Sequence, residues 1–350
     1  MDLAEFDYSL PASAIAQAPA EARDGSRLLV IDRASRGLAD RVFTDLPDLL
    51  RPGDCLVVND SRVLPARVLA RDCGGRPVEL LFVEPAPGEG VLARRWRALV
   101  RPGRRCRPGV ELVAAGDENP ARFRIVAVEA DGTRVVERLD GPVAEALERH
   151  GLPPLPPYIA HHAKPESDDR DRYQTVYARP PGSIAAPTAG LHFTPALLDR
   201  VRARGVEIRA LTLHVGPATF RPIKAARVED HVLPAERVVI PDDVARAVSA
   251  ARADGRRVVA VGTTTTRALE SAAAADGIVR PMEGAAAAFI VPGHRFRVVD
   301  ALLTNFHLPR SSLFVLVSAF AGRDLVLDAY RHALAADYRF YSYGDATLIT

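Results

Sequence analysis

The apolar positions of this chain fall into two textures. In residues 1–62 and again beyond residue 150, short and nearly continuous apolar runs alternate with stretches of helical period. RLLVID (27–32) and CLVVND (55–60) read as strands, the second reached through the turn Arg51-Pro52-Gly53-Asp54. Thr194 and Pro195 open a helix with a capping residue and a proline at its first position; ALLDRVRA continues it and Gly205 stops it. EIRALTLHV (207–215) reads as a buried strand, PDDVARAVSAARADG (241–255) as a helix, RRVVAVG (256–262) as a strand and TTTTRALESAAAA (263–275) as a helix. RVVDALLT (297–304) is a further strand, followed by helices SSLFVLVSAFAG (311–322) and DLVLDAYRHALAA (324–336). Such alternation predicts a layered α/β domain.

From 63 to 150 the texture differs. ARVLA, PVELLFVE, RWRALV, VELVAA, RFRIVAVEA and TRVVERL are β-like runs divided by Gly and Pro, and helical periodicity is scarce. This pattern predicts a small antiparallel β-barrel. The Pro-rich GLPPLPPYI (151–159) follows as a hinge that neither helix nor central strand accommodates. The expected architecture is an α/β domain of residues 1–62 and 151–350 with a barrel of residues 63–150 inserted into it.

Composition narrows the class. The chain has 350 residues, 48% hydrophobic and 26% charged, an ordinary globular balance, and a net charge of +2 does not by itself announce a nucleic-acid partner. Its basic residues are nearly all Arg; Lys164 and Lys224 are the only lysines. Cys55, Cys73 and Cys106 lie far apart without a CxxC pair, which predicts neither zinc nor a redox motif and suits a reducing cytosol. The N-terminus lacks the apolar core of a signal peptide, and the longest apolar stretch, LFVLVSAFA (313–321), is too short to span a bilayer. These features predict a cytoplasmic, metal-free protein, taken as a monomer.

Polar residues concentrate where strands end and helices begin, the usual ligand position in α/β folds. PGSIAAPTAGLHFTP (181–195) holds Thr188, Gly190 and His192. LHVGPATFRPIKAARVEDH (213–231) holds His214 and the run Glu229, Asp230, His231, in which an acid beside a histidine suits either acid–base work or an exposed turn. VGTTTTRALES (261–271) places Thr263, Thr264 and Arg267 at a helix start; without GK[ST] or GxGxxG it is neither a Walker loop nor a dinucleotide fingerprint. LLTNFHLPRSS (302–312) holds Asn305 and His307, and VVNDSRVLPAR (57–67) adds Asn59, Asp60 and Arg62. RRWRALVRPGRRCRPG (94–109) is rich in Arg around Trp96, a pattern that fits a phosphate-binding, base-stacking surface or a solvated strand face. Spacing alone thus predicts a polar cleft rich in Thr, His and Asn, without a reaction.

PGSIAAPTAGLHFT (181–194), LTLHVG (211–216), VEDH (228–231), VAVGTTTTRALES (259–271), VDALLTNFHLP (299–309), LVSAFAG (316–322) and YRFYSYGDATLI (338–349) resemble the signature segments of the S-adenosylmethionine:tRNA ribosyltransferase-isomerases. So do FDYSLP (6–11), IAQAP (15–19), RDGSRLLVIDR (23–33), VVNDSRVLPAR (57–67) and LPPLPPYI (152–159). The resemblance runs nearly end to end. It implies two domains with an inserted barrel, and S-adenosylmethionine used as a ribosyl donor. It implies an acceptor, 7-aminomethyl-7-deazaguanine, in the anticodon stem-loop of tRNA, and epoxyqueuosine-tRNA, adenine and methionine as products. It implies no prosthetic group, metal or membrane partner. Set against that chemistry, His192, His214, His231 and His307 are the acid–base candidates, with Asp230 orienting His231. Asn59, Asp60, Arg62, Thr188, Gly190, Thr263, Thr264, Arg267 and Asn305 would line the substrate pocket. The chain departs from the family wording at Ala218, Pro234, Val291, His294 and the His161-His162 pair. Two rival readings explain the same cleft or the Arg-rich barrel: a nucleosidase or glycosylase acting on free nucleosides, and a non-catalytic RNA-binding module.

Overall fold

The computed structural model describes residues 1–90, 92–116, 118–160, 162, 168–217 and 223–350; His161, Lys164 and Ala218 lie outside the described residues. Contacts divide the chain into two compact units, Met1–Arg62 with Gln174–Thr350, and Val63–Tyr173. In chain order the elements are β1 (Arg27–Ile31), β2 (Leu38–Val42), α1 (Leu46–Leu49), β3 (Cys55–Asn59) and β4 (Arg62–Val63). Then come β5 (Arg67–Asp72), β6 (Pro77–Pro85), β7 (Arg95–Arg101), β8 (Glu111–Ala114), β9 (Arg122–Val128), β10 (Arg134–Arg138), α2 (Val143–His150) and α3 (Asp169–Arg172). The rest are β11 (Pro181–Ser183), α4 (Pro195–Ala203), β12 (Glu207–Leu213), β13 (Glu236–Ile240), α5 (Asp242–Ala253), β14 (Val258–Val261), α6 (Thr263–Ala272), β15 (Met282–Ala286), β16 (Ala301–Asn305), α7 (Ser312–Ala321), α8 (Arg323–Ala335) and β17 (Ala346–Ile349).

The first unit is a nine-stranded sheet of order β15-β13-β12-β3-β14-β16-β17-β1-β2. Its centre, β12-β3-β14-β16, is parallel. These strands read as unbroken apolar runs because both faces are covered. Cys55 and Val57, Val258 and Ala260, and Leu302 pack on one face, together with residues of α5, α6, α7 and α8. Leu56 and Val58, Val259 and Val261, and Ala301 and Leu303 pack on the other, against residues of α1 and α4. The helix ends follow from sequence. Thr194 Oγ1 accepts from the Leu197 amide at 3.1 Å and starts α4, and Ser311 Oγ accepts from Phe314 at 3.1 Å and starts α7.

Several elements were not visible in the hydrophobic pattern. Strands β2, β13, β15 and β17 extend the sheet in mixed orientation, and β2 is largely exposed. Strand β16 begins later than the apolar run predicts. The amides of Arg297, Val298 and Val299 donate to the buried Glu270 carboxylate at 2.9, 3.0 and 3.0 Å instead of joining a ladder.

The second unit contains a closed antiparallel barrel of order β10-β7-β6-β5-β8-β9. Helix α2 corrects the expectation that helical period is scarce here. Val143, Ala146 and Leu147, at helical spacing behind Pro142, are buried in the barrel's core cluster. Trp96 is 7% exposed and stands edge-on to Phe82, so its ring fills the barrel instead of offering a stacking platform. Much of the arginine run is neutralised in place. Arg97 binds Glu84, Glu129 and Asp131, and Arg95 binds Glu137. Arg101, Arg104 and Arg107 are exposed and have no carboxylate partner among the described residues.

Candidate active-site cleft

Because β3, β12, β14 and β16 are parallel, their carboxyl ends emerge along one edge. Between the ends of β14 and β16 lies a cleft of about 490 Å3, its open mouth included. Ala186 to Ala189, Val215, Gly262, Thr263, Thr264, Thr304 to His307, Leu313, Tyr341 and Ser342 line it. The floor is therefore supplied by two strand-to-helix crossings, and the walls are mostly apolar or aromatic.

One crossing is Gly262-Thr263-Thr264. Gly262 caps α6 at φ +91, a conformation that L residues with side chains avoid, so glycine is required there. The first amides of a helix have no intrahelical acceptor, and α6 carries no acidic residue in its first turn to satisfy them. Thr265 Oγ1 and Thr266 Oγ1 donate back to Val261 O and Gly262 O at 2.7 and 3.2 Å. Thr263 and Thr264 are thus the two threonines of this run that reach the cleft.

The other crossing holds Asn305 at the end of β16. Asn305 is 1% exposed. Its Nδ2 faces Tyr341 O at 3.2 Å, Asp345 O at 3.5 Å and His192 Nε2 at 3.1 Å. Those acceptors assign the amide orientation. Oδ1 is consequently the atom left over; it is buried without a partner while its residue lines the cleft. A buried polar atom left unpaired costs about 1–3 kcal/mol.

His192 stands behind Asn305, outside the cleft lining. With Nε2 accepting from Asn305, Nδ1 carries the proton and donates to Ser26 Oγ at 2.8 Å. Its ring lies 4.9 Å from that of Phe43, and burial pushes its pKa down to about 3. The backbone that accepts from Asn305 is held just as firmly. Asp345 accepts the amides of Arg27 and Arg339 at 2.8 Å each, and Tyr341 adopts φ +77, a costly conformation for a bulky residue. Gly344 closes this turn, where a Cβ would lie 2.4 Å from Arg339 O.

His307 lines the cleft directly. Its Nε2 lies 3.0 Å from Thr304 Oγ1, its amide donates to Tyr330 Oη at 3.0 Å, and Tyr8 Oη donates to its carbonyl. Burial lowers its pKa to about 3 as well, so the ring is neutral. Tyr8, Phe306, Phe314, Tyr330 and Phe340 form an aromatic cluster behind it.

The remaining sequence candidates, Thr188 excepted, are placed elsewhere. Asn59 is fully engaged: Nδ2 donates to Leu213 O at 2.9 Å, while Oδ1 accepts from Ser61 and Leu213 amides, so it ties the ends of β3 and β12. Asp60 accepts from Thr212 Oγ1 at 2.6 Å, and burial raises its pKa. Gly190 lies against Tyr177, whose Oη would be 2.2 Å from an added Cβ. Arg267 is buried in an ion pair with Glu236 at 2.6 Å and also donates to Ala288 O at 3.0 Å. It ties α6 to the β13–β15 side of the sheet instead of facing the cleft. His214 packs on Gly182, and burial lowers its pKa. His231 contacts Phe289 edge-on at 5.4 Å, and Asp230 is exposed. Arg62 is exposed, and Thr188 lines the cleft. Of the family departures, Pro234 is exposed, Val291 is half-buried, His294 lies 3.4 Å from Glu270, and His162 Nδ1 contacts Ile159 O at 2.7 Å. Spacing did not single out Ser26, Tyr341 or Asp345, because each acts through a partner distant in sequence, nor Thr304, whose hydroxyl faces His307 three residues on.

Comparison with known proteins gives a consistent result. A family model described as queuosine biosynthesis protein matches residues 3–349. The chain is 51% identical over 352 residues to the S-adenosylmethionine:tRNA ribosyltransferase-isomerase of Moorella thermoacetica, covering 100% of both proteins. It is 49% identical over 363 residues to the protein of the same name from Caulobacter vibrioides, covering 100% of this chain and 98% of that one. The crystal structure of S-adenosylmethionine tRNA ribosyltransferase from Thermotoga maritima is similar at 36% identity and a TM-score of 0.54, covering 99% of this chain and 100% of that one.

Proposed function

The chain belongs to the queuosine biosynthesis family, and on that premise we propose that it is a tRNA ribosyltransferase-isomerase. It transfers and isomerises the ribosyl part of S-adenosylmethionine onto 7-aminomethyl-7-deazaguanine at the wobble position of tRNA. Epoxyqueuosine-tRNA, adenine and methionine leave as products. The end-to-end match at 51% identity is the observation that supports this reading most strongly. The relatives are named as tRNA transferases, not as nucleosidases or non-catalytic binders.

The cleft at the strand ends is the assigned donor site. A sulfonium acidifies the neighbouring C5′–H, so the reaction needs a base beside it. We assign that role to His307, the histidine among the described residues that lines the cleft. The free amides at the start of α6, with the Thr263 and Thr264 hydroxyls, suit the carboxylate of the methionyl part. His192 and Arg267 serve as supports instead. We assign tRNA phosphate contacts to the exposed Arg101, Arg104 and Arg107 of the barrel unit. The enzyme is assigned to the cytoplasm, where tRNA is modified, as a monomer; no helix among the described residues is long and apolar enough to cross a membrane. Activity measured with His307→Ala tests the base assignment: it predicts a loss of roughly 100-fold or more in kcat, and a wild-type kcat would remove His307 from the mechanism.

A further inference from the structure

The most informative atom in the molecule is Asn305 Oδ1. It is an acceptor, it is buried without a partner, and its residue lines the cleft. Its orientation is not free. Rotating the amide would bring Oδ1 against the Tyr341 and Asp345 carbonyls, acceptor facing acceptor. The Tyr341–Asp345 turn fixes the carbonyls that the amide faces, and the His192 tautomer, with its Nδ1 proton toward Ser26, follows from that orientation. The whole arrangement holds one hydrogen-bond acceptor in place for something that donates.

The surroundings narrow the donor. Phe306, Leu313, Tyr341, Ala186 and Ala189 offer apolar and aromatic walls to a flat ring, and the cleft lining contains no carboxylate among the described residues. A planar heterocycle bearing an exocyclic amine fits such a place, because its faces pack on the walls while its N–H meets the oxygen. We propose that Asn305 Oδ1 reads the 6-amino group of the donor's adenine, and that His192, through its bond to Asn305, is a positioning residue for that recognition. This rests on the ribosyl-transfer reading given above.

Recognition of this kind predicts a particular specificity. A 6-oxo donor, S-inosylmethionine, would set its O6 against Oδ1, and a site built around one hydrogen bond rejects the mismatched analogue strongly. Wild-type kcat/KM should favour the 6-amino donor by about 10- to 100-fold. Asn305→Ala should bring the ratio to within about 3-fold of unity by weakening only the amino donor. His192→Phe keeps a ring on Phe43 but releases the amide, so it should lower the ratio part way and leave KM for tRNA unchanged. Competitive inhibition of the wild-type enzyme by adenine and by hypoxanthine gives a test independent of how any variant folds: adenine should inhibit about 10-fold or more better. Equal inhibition by the two bases, or an unchanged donor ratio in Asn305→Ala, overturns the proposal. A rise in KM for tRNA with the donor ratio intact also overturns it, by giving Oδ1 to the acceptor's aminomethyl group. Absence of any turnover in wild type is a separate outcome that removes the ribosyl-transfer reading itself.

Discussion

Lowering the pH from 7 to 5 should weaken this protein mainly through His192 and His307. Burial brings both pKa values down to about 3, whereas a histidine in the unfolded chain titrates near about 6.5. Between those values the unfolded chain binds a proton at each position and the folded chain does not. The stabilisation is therefore complete above about pH 6.5 and is lost progressively as pH falls toward 3. At pH 5 each histidine accounts for about 2 kcal/mol, from about 1.5 pH units at about 1.36 kcal/mol each. Together they remove about 4 kcal/mol from a stability that is typically about 5–15 kcal/mol. Burial also lowers His214 and His231, which adds in the same direction. Urea unfolding followed by circular dichroism at pH 7, 6 and 5 would give the dependence, and its slope counts the protons taken up on unfolding. The slope near pH 5 should correspond to at least about two protons and fall by about one in His192→Phe. Ring nitrogen NMR shifts should show both histidines neutral at pH 5. Charged rings at that pH, or a slope that His192→Phe leaves unchanged, would refute the reasoning. The same neutrality matters to the cleft, since a protonated Nε2 would confront the Asn305 NH2 with a second donor.

Other consequences are local. Glu236→Gln breaks the buried pair with Arg267 and should cost about 3–5 kcal/mol in chemical denaturation, with KM for S-adenosylmethionine within about 2-fold of wild type; a large KM change at normal stability would return Arg267 to the substrate. Gly344→Ala places its Cβ 2.4 Å from a carbonyl oxygen and should cost at least about 2 kcal/mol and most activity, read by thermal melting and turnover. Thr263→Ala and Thr264→Val should each raise KM for S-adenosylmethionine about 2- to 10-fold, the loss of one hydrogen bond, with unchanged melting. Replacing Arg101, Arg104 and Arg107 together by Ala should weaken tRNA binding and flatten its salt dependence, with the donor's KM unaffected.

The central sheet and the barrel strands were legible because their signals are local. Continuous apolar runs mark strands covered on both faces, as in CLVV and VVAV, and Thr194 and Ser311 mark helix starts. The edge strands were not legible, since an edge such as β2 needs few apolar residues. Helix α2 hid behind Gly141-Pro142, which reads as a turn although proline commonly precedes a helix. In the cleft, polar residues at strand ends pointed to Thr263, Thr264, Asn305 and His307. Orientation was beyond reach. That His192 faces Asn305 and Ser26, while Arg267 is absorbed by Glu236, depends on contacts between residues 113, 166 and 31 positions apart. The resemblance to known segments supplied the reaction, which residue spacing did not contain.

The most direct test is turnover. Purified protein would be incubated with S-adenosylmethionine and tRNA carrying 7-aminomethyl-7-deazaguanine, with EDTA present, and the digested tRNA read by mass spectrometry. The tRNA should then carry epoxyqueuosine, with one adenine released per modification. Adenine released from S-adenosylmethionine while the tRNA stays unchanged, or no release at all, would contradict the proposed function.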